Sequence, residues 1–292
     1  MAQLLIGSKF AAFFRRKIFW AVDKGRRLTY HALAVVFDNL LPGRISVKVI
    51  GCIPARYGST RFEGKVLAKD TGKFLIQHTY ERACQARLLE KIVIATDDQS
   101  VAAAAESFGA EAVMTSTEHQ SGTDRIAEAV ADIDVEIVVN LQADEPEIDP
   151  ANIDYVAELL LKNPDYPMAT LAAEFQSAGQ VADPNIVKVV LDANGAAVYF
   201  SRSPIPYDRE NAGVGPVEQY LRHLGIYAYR REFLMKITTL DQSPLEKIEK
   251  LEQLRALENG YKILVGKVEH HCDGIDTPQQ YAEFVKRVKA RK

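Results

Sequence analysis

Arg56, Arg61 and Lys65 share one short stretch, Val49-Ile-Gly-Cys-Ile-Pro-Ala-Arg-Tyr-Gly-Ser-Thr-Arg-Phe-Glu-Gly-Lys65, with Gly58, Ser59 and Gly64 between them. A cationic, Gly-bearing loop suits a polyphosphate: glycines let backbone N–H groups approach, and the cations spread the phosphate charge. The spacing is not that of a P-loop. One residue too many separates Gly58 from Gly64, and Val66 stands where a metal-binding Ser or Thr is required. Spacing alone leaves a phosphate loop and a solvated basic loop equally open. A second chemistry sits in Gln142-Ala-Asp-Glu-Pro146. An acidic pair opposite a cationic loop makes sense if Mg²⁺ bridges them, because that ion takes one or two carboxylates plus phosphate oxygens. Asp144 is the expected ligand. Glu145 reads equally as part of a helix N-cap region, since Pro146 and Asp149-Pro150 precede a helical pattern. Asp276, in Gly274-Ile-Asp-Thr-Pro278, sits where a cap or a metal ligand belongs.

The elements around these residues alternate. Val49–Ile53 is a short apolar strand that Pro54 is expected to end, followed by strands over 91–95, 112–114 and 136–141. Helices are expected over 74–88, 99–108, 123–131 and 153–161 between them. Alternation of this kind predicts an α/β fold with a doubly wound, mostly parallel sheet, whose ligands lie outside the carboxyl ends of the strands. That topology gathers 56–65, 96–98, 121–125 and 142–145 along one edge.

From about residue 167 the pattern changes. Strands over 168–175, 187–192 and 197–200, with Asn194-Gly195 as a hairpin turn, predict a small antiparallel insertion over about 167–222. A strand over 223–229, a short helix over 231–237, one long helix from the Ser243-Pro-Leu-Glu246 capping box to about Glu258, a strand over 262–268 and a last helix over 279–288 follow.

The 292 residues carry a net charge of −3, which gives no reason to expect a nucleic-acid partner. Cys52, Cys84 and Cys272 form neither a metal pair nor a disulfide framework, so a reducing cytoplasm is expected. Residues 1–44 hold eight basic residues against Asp23 and Asp38, with Phe10, Phe13, Phe14 and Ile18 at helical spacing. Residues 1–46 thus read as a basic amphipathic extension ahead of a domain over 47–292. Peripheral contact with an anionic membrane is one reading of it, and an accessory surface helix is the other.

Ile53-Pro-Ala-Arg-Tyr-Gly-Ser-Thr-Arg61 with Gly64-Lys65, Ala95-Thr-Asp-Asp98, Ser121-Gly-Thr-Asp-Arg125 and Asn140-Leu-Gln-Ala-Asp-Glu-Pro146 resemble, in order, the 3-deoxy-manno-octulosonate (Kdo) cytidylyltransferase, or CMP-Kdo synthetase, family. The resemblance continues through Tyr199-Phe-Ser-Arg-Ser-Pro-Ile-Pro206, His223-Leu-Gly-Ile-Tyr227, Leu251-Glu-Gln-Leu-Arg255 and Gly274-Ile-Asp-Thr-Pro278, so it spans about residue 47 to the C-terminus. Two positions depart from the family pattern: Glu63 for the commoner Pro, and Ala143 for the commoner Gly.

The resemblance implies an enzyme that converts CTP and Kdo to CMP-Kdo and pyrophosphate for lipopolysaccharide biosynthesis, with Mg²⁺ as cofactor and a homodimer as assembly. It implies that Arg56, Arg61 and Lys65 hold the triphosphate and that Asp144 and Asp276 bind the metal. Ala55, Ser121, Arg125 and Gln142 would meet the nucleotide. Gln142, Arg202, His223, Tyr227, Glu252 and Gln253 would bind Kdo, although residue chemistry alone reads His223 as a core histidine and Tyr227 as strand packing. The alternatives are a cytidylyltransferase for another acidic sugar, such as N-acetylneuraminate, and a catalytically silent nucleotide-binding protein.

Overall fold

The computed structural model describes residues 49–58 and 62–291. The amphipathic helix expected in 1–44 and the expected phosphate ligand Arg61 lie outside the described residues. Those described belong to one compact unit, Val47–Lys292.

Nine strands form the described sheet: β1 (Val49–Ala55), β2 (Lys91–Thr96), β3 (Glu111–Met114), β4 (Ile137–Asn140), β5 (Met168–Glu174), β6 (Lys188–Leu191), β7 (Ala197–Ser201), β8 (Leu221–Arg230) and β9 (Ile263–Val268). The main path runs β3-β2-β1-β4-β8-β5-β9, and the β6–β7 hairpin branches from β8. β8 pairs antiparallel with both β4 and β5, whereas the other neighbours along the path are parallel. Helices α1 (Leu75–Ala83), α2 (Gln99–Ser107), α3 (Gly122–Ala129), α4 (Pro150–Lys162), α5 (Ala178–Ala182), α6 (Arg231–Ile237), α7 (Pro244–Glu249), α8 (Gln253–Glu258) and α9 (Pro278–Ala290) complete it.

Both faces of the sheet are covered, which explains why its strands read as continuous apolar runs. Successive β1 residues part company: Val49 and Ile53 pack with α1, α2 and α4, while Ile50 and Cys52 pack with α3, α6 and α8. This is the doubly wound arrangement.

Four boundaries differ from expectation. Pro54 does not end β1, which continues to Ala55 and pairs Pro54 with Ala95. Cys52 O accepts from Leu141 N, so by strand alternation the N–H that Pro54 lacks would face the β4 side. The β1–β4 ladder has already ended at Cys52, and nothing is lost. α1 stops at Ala83 because the Asp154 carboxylate, on α4, accepts from the Arg87 and Leu88 amides at 2.8 and 2.9 Å. Met168–Glu174 is an interior strand between β8 and β9, so the antiparallel branch is narrower than 167–222. The single helix expected over 243–258 is two, broken at Lys250, whose φ of 54° and ψ of 47° are left-handed.

Candidate functional site

The carboxyl ends of β1 and β4 lie side by side, and two groups of predicted residues collect there. In the first, Lys65 Nζ donates to Asp144 Oδ2 at 2.6 Å, Ile275 O at 3.0 Å and Asp276 Oδ1 at 3.1 Å. The sequence positions these locally. Gly64, at φ 64°, turns the chain into the one-turn helix Lys65–Leu67, and Gly64 N donates to Tyr57 O at 3.0 Å to close the loop between. Asp144 follows β4, and its carbonyl accepts from Ile275 N at 2.8 Å, which fastens the Gly274–Pro278 turn beside it. Asp276 directly precedes the Thr277 capping box of α9. The Phe62, Leu75, Ile275, Tyr281 and Phe284 side chains pack α9 against both loops.

Two aspartates whose oxygens meet one cation form a hard-oxygen donor pair suited to Mg²⁺. No group of three metal-ligating side chains occurs among the described residues. A two-carboxylate set is what an ion completed by substrate phosphates needs. Asp149, not Glu145, caps the following helix, accepting from Ala151 N. Glu145 is half-buried instead, and desolvation together with the Asp144 charge pushes its carboxyl up to about 8.

The second group is a cavity of about 200 Å³ whose walls include Gln142, Tyr227, Glu252 and Gln253. These four predicted sugar-binding residues come from three separate parts of the chain. Gln142 Nε2 donates to Gly225 O at 3.0 Å, which fixes its side chain against β8. Tyr227 pairs with Asn140 across the β4–β8 ladder. Gln253 is 4% exposed and its Nε2 has no partner, a donor held ready in the wall. Burial raises the Glu252 pKa against the lowering influence of its Thr123 hydrogen bond and of Arg255. A carboxyl so shifted is more easily protonated, and then donates to a hydroxyl.

Other predicted residues stand elsewhere. Arg202 does not line the cavity: its Nε donates to Glu249 O at 2.6 Å and its Nη1 to Pro184 O at 2.9 Å. His223 lies behind Tyr227 with ring centroids 5.4 Å apart, lines a smaller cavity with Glu145 and Arg222, and meets Thr170 Oγ1 through Nε2 at 3.1 Å. Burial lowers its pKa to about 3, so the imidazole is neutral. Arg125 is 1% exposed; its Nη2 donates to Asp97 Oδ2 and its Nη1 to Thr115 Oγ1, both at 2.6 Å, so it braces the ends of β2 and β3. Ser121 closes the capping box of α3 with Asp124. Ala55 is 1% exposed, which leaves only its backbone to face a nucleotide. Arg56 is exposed at the end of β1.

Of the two departures, Ala143 has no positive φ and its methyl joins the core, so the added carbon is accommodated. Glu63 is exposed in the turn before Gly64. Sequence reasoning missed Asn140, Thr123 and Tyr229 in the cavity wall. Asn140 carried a signal: it is the polar end of an otherwise apolar strand, and its buried Oδ1 has no partner.

A mostly parallel sheet with a lysine–dicarboxylate cluster and a polar cavity, both at its carboxyl edge, has the arrangement in which open α/β sheets bind nucleotides. A family model described as cytidylyltransferase matches residues 50–263. The 3-deoxy-manno-octulosonate cytidylyltransferase of Solibacter usitatus is 49% identical over 83% of this chain and 95% of its own length. That of Syntrophotalea carbinolica is 47% identical over 80% and 95%. A solved structure of CMP:2-keto-3-deoxy-manno-octonic acid synthetase complexed with CTP superposes with a TM-score of 0.78 at 41% identity, covering 84% of this chain and 100% of that one. A 4-diphosphocytidyl-2C-methyl-D-erythritol synthase from Anaerococcus prevotii, at 12% identity and a TM-score of 0.55, covers 83% and 99% and shares the fold. The chain belongs to the 3-deoxy-manno-octulosonate cytidylyltransferase family. Among the described residues no helix is long and apolar enough to cross a membrane.

Proposed function

We propose that this chain transfers the cytidylyl group of CTP to the anomeric hydroxyl of Kdo, releasing pyrophosphate and making the donor for lipopolysaccharide assembly. The observation that carries the reading is that Gln142, in the wall of the polar cavity, and Asp144, in the carboxylate–lysine cluster, belong to one loop. A sugar in the cavity and a triphosphate at the cluster therefore meet across two residues of backbone.

The reaction asks the protein mainly for positioning and charge stabilisation. Lys65, together with Arg56 and Arg61, neutralises the triphosphate and the leaving pyrophosphate. Asp144 and Asp276 would hold Mg²⁺, which would supply charge stabilisation to the phosphoryl oxygens and acidify the attacking hydroxyl. Gln142, Tyr227, Glu252 and Gln253 offer donors and acceptors to the sugar hydroxyls and hold the attacking one towards the α-phosphorus. Asp97, Thr115 and Arg125 keep the β2 and β3 loops in place for the nucleotide. The same reading pairs two copies through the β6–β7 branch, where Val198 and Tyr207 are 59% and 67% exposed.

The test is pyrophosphate release with CTP, Mg²⁺ and either Kdo or N-acetylneuraminate. Release with Kdo alone is expected. Release only with the other sugar moves the substrate assignment, and release with neither removes the enzymatic reading.

A further inference from the structure

Lys188, at the start of β6, is fully buried, yet its hydrogen-bond partners are three carbonyl oxygens: Asp183 O at 3.0 Å, Ile186 O at 2.8 Å and Arg202 O. A cation taken out of water is costly and is seldom fully buried without a partner that needs it. The mechanism above makes no use of this ammonium.

Arg202, whose carbonyl Lys188 holds, is gripped on every side. Its amide donates to Glu249 Oε2 at 2.9 Å, and its guanidinium donates to Glu249 O at 2.6 Å and Lys250 O at 3.4 Å. Glu249 Oε1 accepts from Ser201 Oγ at 2.7 Å. The last carbonyls of any helix lack intrahelical partners, and here Arg202 supplies them at the end of α7. The chain then breaks at Lys250 in the left-handed region, Leu251 is buried, and Glu252 and Gln253 enter the cavity wall. An unbroken helix advances about 100° per residue. Continuing α7 through Lys250 would carry Glu252 and Gln253 away from the face they now occupy.

We propose that Lys188, acting through Arg202 and Glu249, is a positioning residue for the sugar cavity: it locks the end of the β6–β7 hairpin onto α7 and so sets the break at Lys250 that aims Glu252 and Gln253. The proposal rests on the reading of the cavity as the sugar site. It also gives Arg202 a role other than direct contact with the sugar.

The experiment is steady-state kinetics of Lys188→Met on the full chain, with the KM for Kdo and the KM for CTP measured separately. A rise of about tenfold or more in the KM for Kdo with the KM for CTP unchanged is expected, the size that a misplaced contact produces. Lys250→Val supplies an independent arm, because the Lys250 side chain is exposed while a β-branched residue resists the left-handed backbone. It should show the same split, and Lys250→Gly, which accepts that backbone freely, should not. Unchanged KM for Kdo in both Lys188→Met and Lys250→Val overturns the proposal. So does a rise confined to Arg202→Ala, which would mean that Arg202 touches the sugar itself. Should wild-type protein turn over no acidic sugar, the functional reading fails separately. Hydrogen exchange at the amides of 250–253 then decides: faster exchange in Lys188→Met supports the lock, and unchanged exchange overturns it.

Discussion

Lys65 and Asp144, separated by most of the first half of the sheet, meet with Nζ 2.6 Å from Oδ2, and Asp276 joins the same ammonium at 3.1 Å. The loop that reads as a phosphate cradle is thus tied directly to the aspartates that read as metal ligands. Asp144→Asn and Asp276→Asn should each lower kcat by about 100-fold or more, as loss of a group that stabilises transferring charge does. Circular dichroism should be unchanged, and pyrophosphate release is the measurement. Chelating divalent metal should abolish turnover, and Mg²⁺ should restore it.

The unpartnered Gln253 amide predicts where sugar affinity resides. Gln253→Leu fills the same wall without a donor, so the sugar hydroxyl facing it loses its partner. The KM for Kdo should rise about tenfold or more, in line with the cost of an unpaired polar group. The KM for CTP should hold. An equal rise in both would place Gln253 in structural support instead.

Arg125 and Asp97 form a nearly buried pair at 2.6 Å. Removing one partner from such a pair strands the other charge, at a cost of about 3–5 kcal/mol. Arg125→Ala should therefore lower unfolding stability by about that amount in chemical denaturation, and raise the KM for CTP through the loosened β2 and β3 loops.

His223 gives a pH signature. Burial holds its folded-state pKa at about 3 against an ordinary 6.5, so between these values the unfolded chain takes up a proton that the folded chain refuses. Stability should accordingly fall as pH drops through that window, at up to about 1.4 kcal/mol per pH unit for this group. His223→Gln, neutral throughout, should flatten the acid limb of the stability–pH curve. An unaltered limb in that variant would mean the imidazole titrates normally.

Much of the fold was legible beforehand, because apolar runs and capping residues act locally. The Ser243-Pro-Leu-Glu246 helix start, the β1 to β4 alternation and the parallel edge follow from short-range patterns, and the structure contains them. The misplaced boundaries have long-range causes. α1 ends where Asp154 reaches over from α4, and the 243–258 helix divides where Arg202 arrives from β7. No window of local sequence contains either partner.

The same division holds for the site. Residue types and their spacing nominated Arg56, Lys65 and Asp144, and left Asp276 as a cap or a metal ligand, because phosphate and metal recognition demand particular side chains. Gln142, Arg202, Tyr227, Glu252 and Gln253 were nominated as sugar ligands by the family resemblance. Which nominees share a surface was decided by packing. β8 brings Tyr227 beside Asn140, α9 brings Asp276 to Lys65, and the left-handed turn at Lys250 brings Gln253 to the cavity. Arg202, a nominee on the same grounds, is instead held by helix-end carbonyls. Chemistry is written in side chains, whereas proximity between residues many positions apart arises only when burial of the sheet's two faces fixes every element against the others.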